Sequence, residues 1–370
     1  MSAGPARSVA AVDGVDARKP DVELIDVHTH ILPRDIPRWA DRFGTGGFVT
    51  LEHIPGTCRA RMVRDDGRFF REVEDNCFDA AARLRDCDRH GVRLQVLSTV
   101  PVMFSYWAPA AHGAEVARFL NDDLAAVVAR HPDRFVGLGT LPLQDPERAC
   151  RELERCVLQL GLRGVQIGSH VETGPGPLDE RWNLSDPRLF PVFECAAALG
   201  AAVFIHPWDM MGEARMQRYW LPWLVGMPAE ESLALCSLIF GGVFERLPSL
   251  RVLVAHGGGS FAATLGRIEH GFRCRPDLVA IDNPHPPSSY LGRFWVDSLV
   301  LDPRTLRQIV EVYGRERVAL GTDYPFPLGE DVPGATIRAA AFDDATTLAL
   351  LGGNARAWLG LPAHAPIPDR

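Results

Sequence analysis

"ELIDVHTHILP", residues 23–33, carries two histidines inside an apolar run. Leu24, Ile25, Val27 and Ile31 give the run the character of a buried strand. Side chains at i and i+2 of a strand project to the same side. His28 and His30 therefore leave one face together, near the strand's C-terminal end. Two imidazoles so placed can grip a single metal ion. Asp26 shares the same phase and is expected to orient a histidine from behind.

Similar short runs recur at 93–99, 135–141, 164–169, 202–207, 251–256, 294–300 and 317–322. Helix-like stretches lie between most of them, at 74–89, 114–130, 146–159, 229–245, 260–272 and 303–313, with shorter ones near 335–341 and 343–357. Apolar strands alternating with helices imply parallel strands covered by helices. Eight of them predict an α/β fold of the (β/α)8 TIM-barrel type. A doubly wound sheet would instead carry G-x-G-x-x-G after the first strand, and the chain has none there. Long insertions at 32–73 and 208–228 follow strands one and five and are expected to roof the C-terminal face, where barrel active sites lie. The expected organisation is a flexible leader over 1–22, a single barrel domain over 23–360 and a tail over 361–370.

Composition narrows the function. An apolar share of 46% suffices for a large core. The net charge of −8 argues against a nucleic-acid partner. With no run of about 18 apolar residues, no membrane span is expected. The leader has no apolar stretch of the signal-peptide kind. Eight cysteines without a C-x-x-C pair fit reduced thiols in a cytoplasmic protein. Lys19, in the leader, is the sole lysine of the chain. No lysine is therefore expected inside the fold for a Schiff base, a P-loop or a carbamylated metal bridge.

Three more strand ends carry chemistry. Strand five ends "VFIHPWDMM", offering His206 as a third ligand. Strand eight ends "VALGTDYPFP", and Asp323 sits where the chain leaves the barrel. Three histidines and an aspartate make a sensible zinc shell with room for a water. Strand six ends "VLVAHGGGSF". His256 is read as a general acid or base beside the metal rather than a ligand, because its ordinary pKa suits proton transfer. An esterase H-G-G-G loop would need a G-x-S-x-G elbow elsewhere, which the chain lacks. Trp208, Met210, Met211 and Trp220 follow strand five, and His170 follows strand four, as candidate pocket residues.

These strand ends resemble the amidohydrolase superfamily. "TVPVMF", "PLQDPERAC", "GVQIGSH", "HPWDMMGEARMQRYWLPWLVGMPAE", "HGGGSFAATLGR" and "GTDYPFPLGE" narrow the likeness to the family of 2-amino-3-carboxymuconate-6-semialdehyde decarboxylases, over roughly 24–357. The resemblance implies one zinc per subunit on His28, His30, His206 and Asp323, with His256 as the catalytic acid/base. It implies two arginines on the substrate carboxylates, matching Arg71 in "FFREV" and Arg267 at the end of "HGGGSFAATLGR". Arg267 lies seven residues into its helix, about 10 Å from its own barrel mouth, so it is expected to serve a neighbour's pocket in a homodimer. The implied reaction is non-oxidative loss of carbon dioxide from a dicarboxylate semialdehyde, in the breakdown of kynurenine and 3-hydroxyanthranilate. Decarboxylation of an aromatic acid, such as a dihydroxybenzoate or carboxyvanillate, and zinc-dependent hydrolysis of a lactone or amide stay open beside it. The segment 34–68 matches the family poorly and is read as a substrate-facing insertion.

Overall fold

The computed structural model describes residues 22–172 and 181–362. Apart from Val22, Leu361 and Pro362, the expected leader and tail lie outside the described residues. Eight parallel strands form one sheet in chain order: β1 (Leu24–Ile31), β2 (Val92–Thr99), β3 (Phe135–Thr140), β4 (Gly164–Ile167), β5 (Ala202–Ile205), β6 (Arg251–Val254), β7 (Trp295–Asp297) and β8 (Val318–Ala319). The ends meet. Val27 N–H donates to the Leu320 carbonyl at 2.9 Å, His30 N–H to that of Tyr324 at 2.8 Å, and Asp323 N–H to that of His28 at 2.9 Å. These bonds close the sheet into the expected barrel, which removes its edges.

The strands are near-continuous apolar runs because both faces are covered. Val165, Ile167, Val203 and Ile205 pack outward with helices such as Met227–Phe240, while Ala202, Phe204 and Leu253 belong to a separate cluster with Trp295. Caps set several helix starts. Asp79, Asp145 and Asp302 each accept a backbone N–H from the first turn of the helices Ala80–His90, Pro146–Glu154 and Pro303–Tyr313.

Both insertions sit where the sequence placed them. The first forms a three-stranded antiparallel sheet, Val49–His53, Arg59–Arg64 and Phe69–Glu74, with its own core around Trp39, Phe48 and Met62. An unanticipated two-stranded antiparallel sheet pairs His170–Glu172 with Arg181–Asn183.

Two expectations need correction. Asp26 does not share a face with the two histidines. The β1–β2 register shifts between Asp26 and Thr29, the mark of a bulge, and one extra residue reverses the side-chain phase. Asp26 instead accepts from the Thr322 hydroxyl at 2.6 Å and from the backbone N–H groups of Thr322 and His28 at 3.1 and 3.2 Å. Secondly, one helix, Pro222–Phe240, is long and apolar enough to cross a membrane, with a mean hydropathy of 1.3. Half of it is buried within the protein, and it carries the buried Glu230 and Glu231.

Candidate metal and proton-transfer site

His28 and His30 leave β1 on the inside of the barrel, with ring centroids 5.1 Å apart. His206 follows β5 and lies 5.0 Å from each of them. Asp323 follows β8, and its Oδ1 lies 3.1 Å from His30 Nε2 and 3.4 Å from His28 Nε2. One donor atom from each of the four lies within 4.8 Å of all the others.

The outer nitrogens of the rings are already engaged. His30 Nδ1 lies 3.0 Å from the Thr99 carbonyl, His206 Nδ1 2.9 Å from that of Pro207, and His28 Nδ1 2.7 Å from Asp297 Oδ2. A carbonyl only accepts, so Nδ1 of His30 and of His206 carries the hydrogen and Nε2 presents a lone pair. The Asp297 carboxylate selects the same tautomer for His28. Burial lowers the pKa of His30, and it lowers that of His206 well below the ordinary value. His28 and His30 Nε2 lie 3.2 Å apart, and His206 Nε2 is buried without a hydrogen-bond partner. Lone pairs turned on one another repel unless a cation lies between them. Neutral imidazoles with one carboxylate are the donor set a divalent transition metal requires.

His256 follows β6, with its ring centroid 5.1 Å from those of both His28 and His206. Its Nδ1 is hydrogen-bonded to Oε1 of Glu231, which is fully buried in the helix Met227–Phe240. Burial opposes a charged imidazole, but the Glu231 carboxylate outweighs it and raises the His256 pKa. Asp297 ties the two halves together. Besides the His28 ring it accepts the backbone N–H of His256 at 3.0 Å and of Gly257 at 2.9 Å. His256 and Asp323 have left-handed backbones, φ +48° and +58°, a conformation uncommon for residues other than glycine.

The cluster floors a cavity of about 350 Å³. Its walls are largely aromatic and aliphatic, with Phe70, Trp208, Trp220, Trp223 and Phe326. Among the described residues Arg71 is the one arginine in its lining. Arg71 comes from the last strand of the first insertion, and its guanidinium lies 4.4 Å from the Phe326 ring centroid.

Other candidates are placed elsewhere. Arg267 is exposed on the helix Phe261–Cys274 and does not line the cavity. Met210 is buried, packing beside Gly226 behind the wall. His170 faces a separate small recess behind Trp208, 3.5 Å from Glu230. Sequence reading passed over Asp297 and Glu231. The position of Asp297 at a strand's C-terminal end was the available signal. Glu231 had none, since the barrel alone turns that side of its helix toward His256.

Residues 25–361 match the amidohydrolase family. A 2-amino-3-carboxymuconate-6-semialdehyde decarboxylase from Dictyostelium discoideum is 55% identical over 338 residues, 91% of each chain. A protein of the same name from Caenorhabditis elegans is 42% identical over 349 residues, covering 83% of this chain and 86% of that one. Among solved structures, 5-carboxyvanillate decarboxylase from Novosphingobium aromaticivorans DSM 12444, complexed with manganese and 4-hydroxy-3-methoxy-5-nitrobenzoic acid, superposes with a TM-score of 0.68. That match has 26% identity and covers 78% of this chain and 82% of the other.

Proposed function

The chain belongs to the amidohydrolase family, and from that premise we propose that it is a metal-dependent decarboxylase. Its substrate on this reading is 2-amino-3-carboxymuconate 6-semialdehyde, and its products are 2-aminomuconate 6-semialdehyde and carbon dioxide. The observation that carries the reading is the convergence of three imidazole lone pairs and a carboxylate on the floor of a cavity that holds one arginine.

His28, His30, His206 and Asp323 would hold the ion. The nitrogen-rich set favours zinc. When bound, the ion would supply Lewis acidity and lower the pKa of a neighbouring water toward about 7. The chain's own residues do the rest. Arg71 pairs with a substrate carboxylate through its planar fork, and the aromatic walls keep water from that contact. With Nδ1 given to Glu231, His256 presents Nε2 to the cavity and carries the proton. The proton goes to the enamine carbon that bears the departing carboxylate, leaving an iminium beside it. The carbon–carboxylate bond breaks, its electron pair restores the enamine, and carbon dioxide leaves. Holding the dianion in place contributes part of the rate.

Arg267 reaches the cavity of a second copy in this proposal, which makes the working form a homodimer. Among the described residues all eight cysteines are free thiols, which fits the reducing cytoplasm. The test starts from 3-hydroxyanthranilate and its dioxygenase. The semialdehyde chromophore should vanish with one carbon dioxide released per substrate, and elemental analysis should find one zinc per chain. A chromophore that persists with a metal-replete protein ends the reading. The aromatic walls favour a second one, decarboxylation of a dihydroxybenzoate or carboxyvanillate, which the same assay separates by substrate. Turnover of a lactone or amide without carbon dioxide would make the protein a hydrolase.

A further inference from the structure

The three glycines after His256 do more than turn the chain. Gly257, Gly258 and Gly259 all have positive φ, between +64° and +73°. A Cβ on Gly259 would lie 2.8 Å from Glu231 Oε2 and 2.3 Å from the Pro228 carbonyl. A Cβ on Gly258 would lie 2.9 Å from the Tyr313 hydroxyl. The two glycines clear space for two oxygens from different helices.

Both oxygens are unusual. Glu231 is fully buried, and while its Oε1 is bonded to His256 Nδ1, its Oε2 has no partner. The Tyr313 hydroxyl, at the end of the helix Pro303–Tyr313, is likewise buried without a partner. A buried carboxylate oxygen lacking a donor costs free energy, as does a buried hydroxyl lacking an acceptor. Each is what the other lacks, and they sit against consecutive residues. One bridging water would satisfy both.

We propose that Glu231 is the positioning residue of His256 and that Tyr313 fixes Glu231 in turn, the three forming one buried hydrogen-bonded chain for which Gly258 and Gly259 make the space. The proposal rests on His256 as the proton carrier. Glu231 holds Nδ1 in its N–H form, so the cavity meets Nε2 of a ring that cannot swing. Tyr313 keeps the carboxylate from rotating away from the ring.

The metal-loaded enzyme tests this with Glu231→Gln, Glu231→Leu, Tyr313→Phe, the double variant Glu231→Gln/Tyr313→Phe and a His256→Ala control, reading kcat, KM and metal content. Glutamine keeps an oxygen that can accept from Nδ1, and leucine keeps none. Glu231→Leu should lower kcat at least about 100-fold, the usual worth of a positioned acid or base, and Glu231→Gln less, with KM and metal content little changed. Tyr313→Phe, which removes a single oxygen, should lower kcat several-fold. In the Glu231→Gln background it should add almost nothing, since residues acting through one another are not additive. Parental kcat in both Glu231 variants overturns the proposal, as does Tyr313→Phe keeping its full factor in the double variant. Parental kcat in the His256→Ala control overturns the reading of His256 itself, a distinct failure.

Discussion

Asp297 holds the ring of His28 through Nδ1 and the backbone of His256 and Gly257 through its two oxygens. It links a residue proposed to hold the ion to the one proposed to move the proton. Asp297→Asn should weaken metal affinity about 10- to 100-fold, measured by competition with a chelator, while the fold persists. Gly259→Ala should cost at least about 2 kcal/mol in urea unfolding, because a left-handed backbone and a contact with the Pro228 carbonyl both resist a Cβ. Arg71→Lys keeps the charge and loses the fork, so KM should rise about tenfold with metal content unchanged. His28, His30, His206, His256 and Asp323 were legible because a histidine or aspartate ending an apolar strand has few structural reasons to be there. Asp26 was misplaced because a bulge is one extra residue that periodicity cannot reveal. Glu231 was hidden because its helix is apolar around most of its girth.

Elements were easier to read than their junctions. All eight strands and the helix Pro303–Tyr313 stand where the runs placed them, since burial on both faces leaves a plain sequence signature. The antiparallel sheet of the first insertion was not resolved by pattern, because its strands alternate around charged arginines and one face is open to water. The helix Ala80–His90 is fastened to the loop after β8 through Asp86, which accepts from the Tyr324 hydroxyl at 2.7 Å, Arg89 at 2.8 Å and Asn76 at 3.2 Å. Burial would raise the Asp86 pKa, but these bonds lower it below the ordinary value. A carboxylate with a depressed folded-state pKa stabilises above its unfolded pKa and loses that contribution as pH falls through the folded one. Asp86→Asn should therefore lower unfolding stability by about 1 kcal/mol at pH 7. The gap from the parent should narrow only below about pH 4, the ordinary aspartate range. A gap constant down to full acid unfolding would deny the bond this role.

At the scale of the whole molecule the cavity has, among the described residues, one arginine in its own chain, and the second expected one is exposed. Arg71→Ala and Arg267→Ala should each be nearly inactive alone. Mixed and re-associated, they should recover up to about a quarter of parental activity, since half the pairs are mixed and one cavity in each is whole. A mixture as inactive as its components would place Arg267 outside the neighbour's cavity. The length of a helix says which pocket an arginine cannot reach, but not which surface receives it.

The barrel closes by joining the first strand to the last, and the four ion-binding groups come from chain positions as far apart as 28 and 323. A ribosome must therefore finish nearly the entire polypeptide before the cage can exist. Loading is an event in the life of the completed protein, and a nascent or prematurely stopped chain cannot draw on the cell's supply of the ion through this cage.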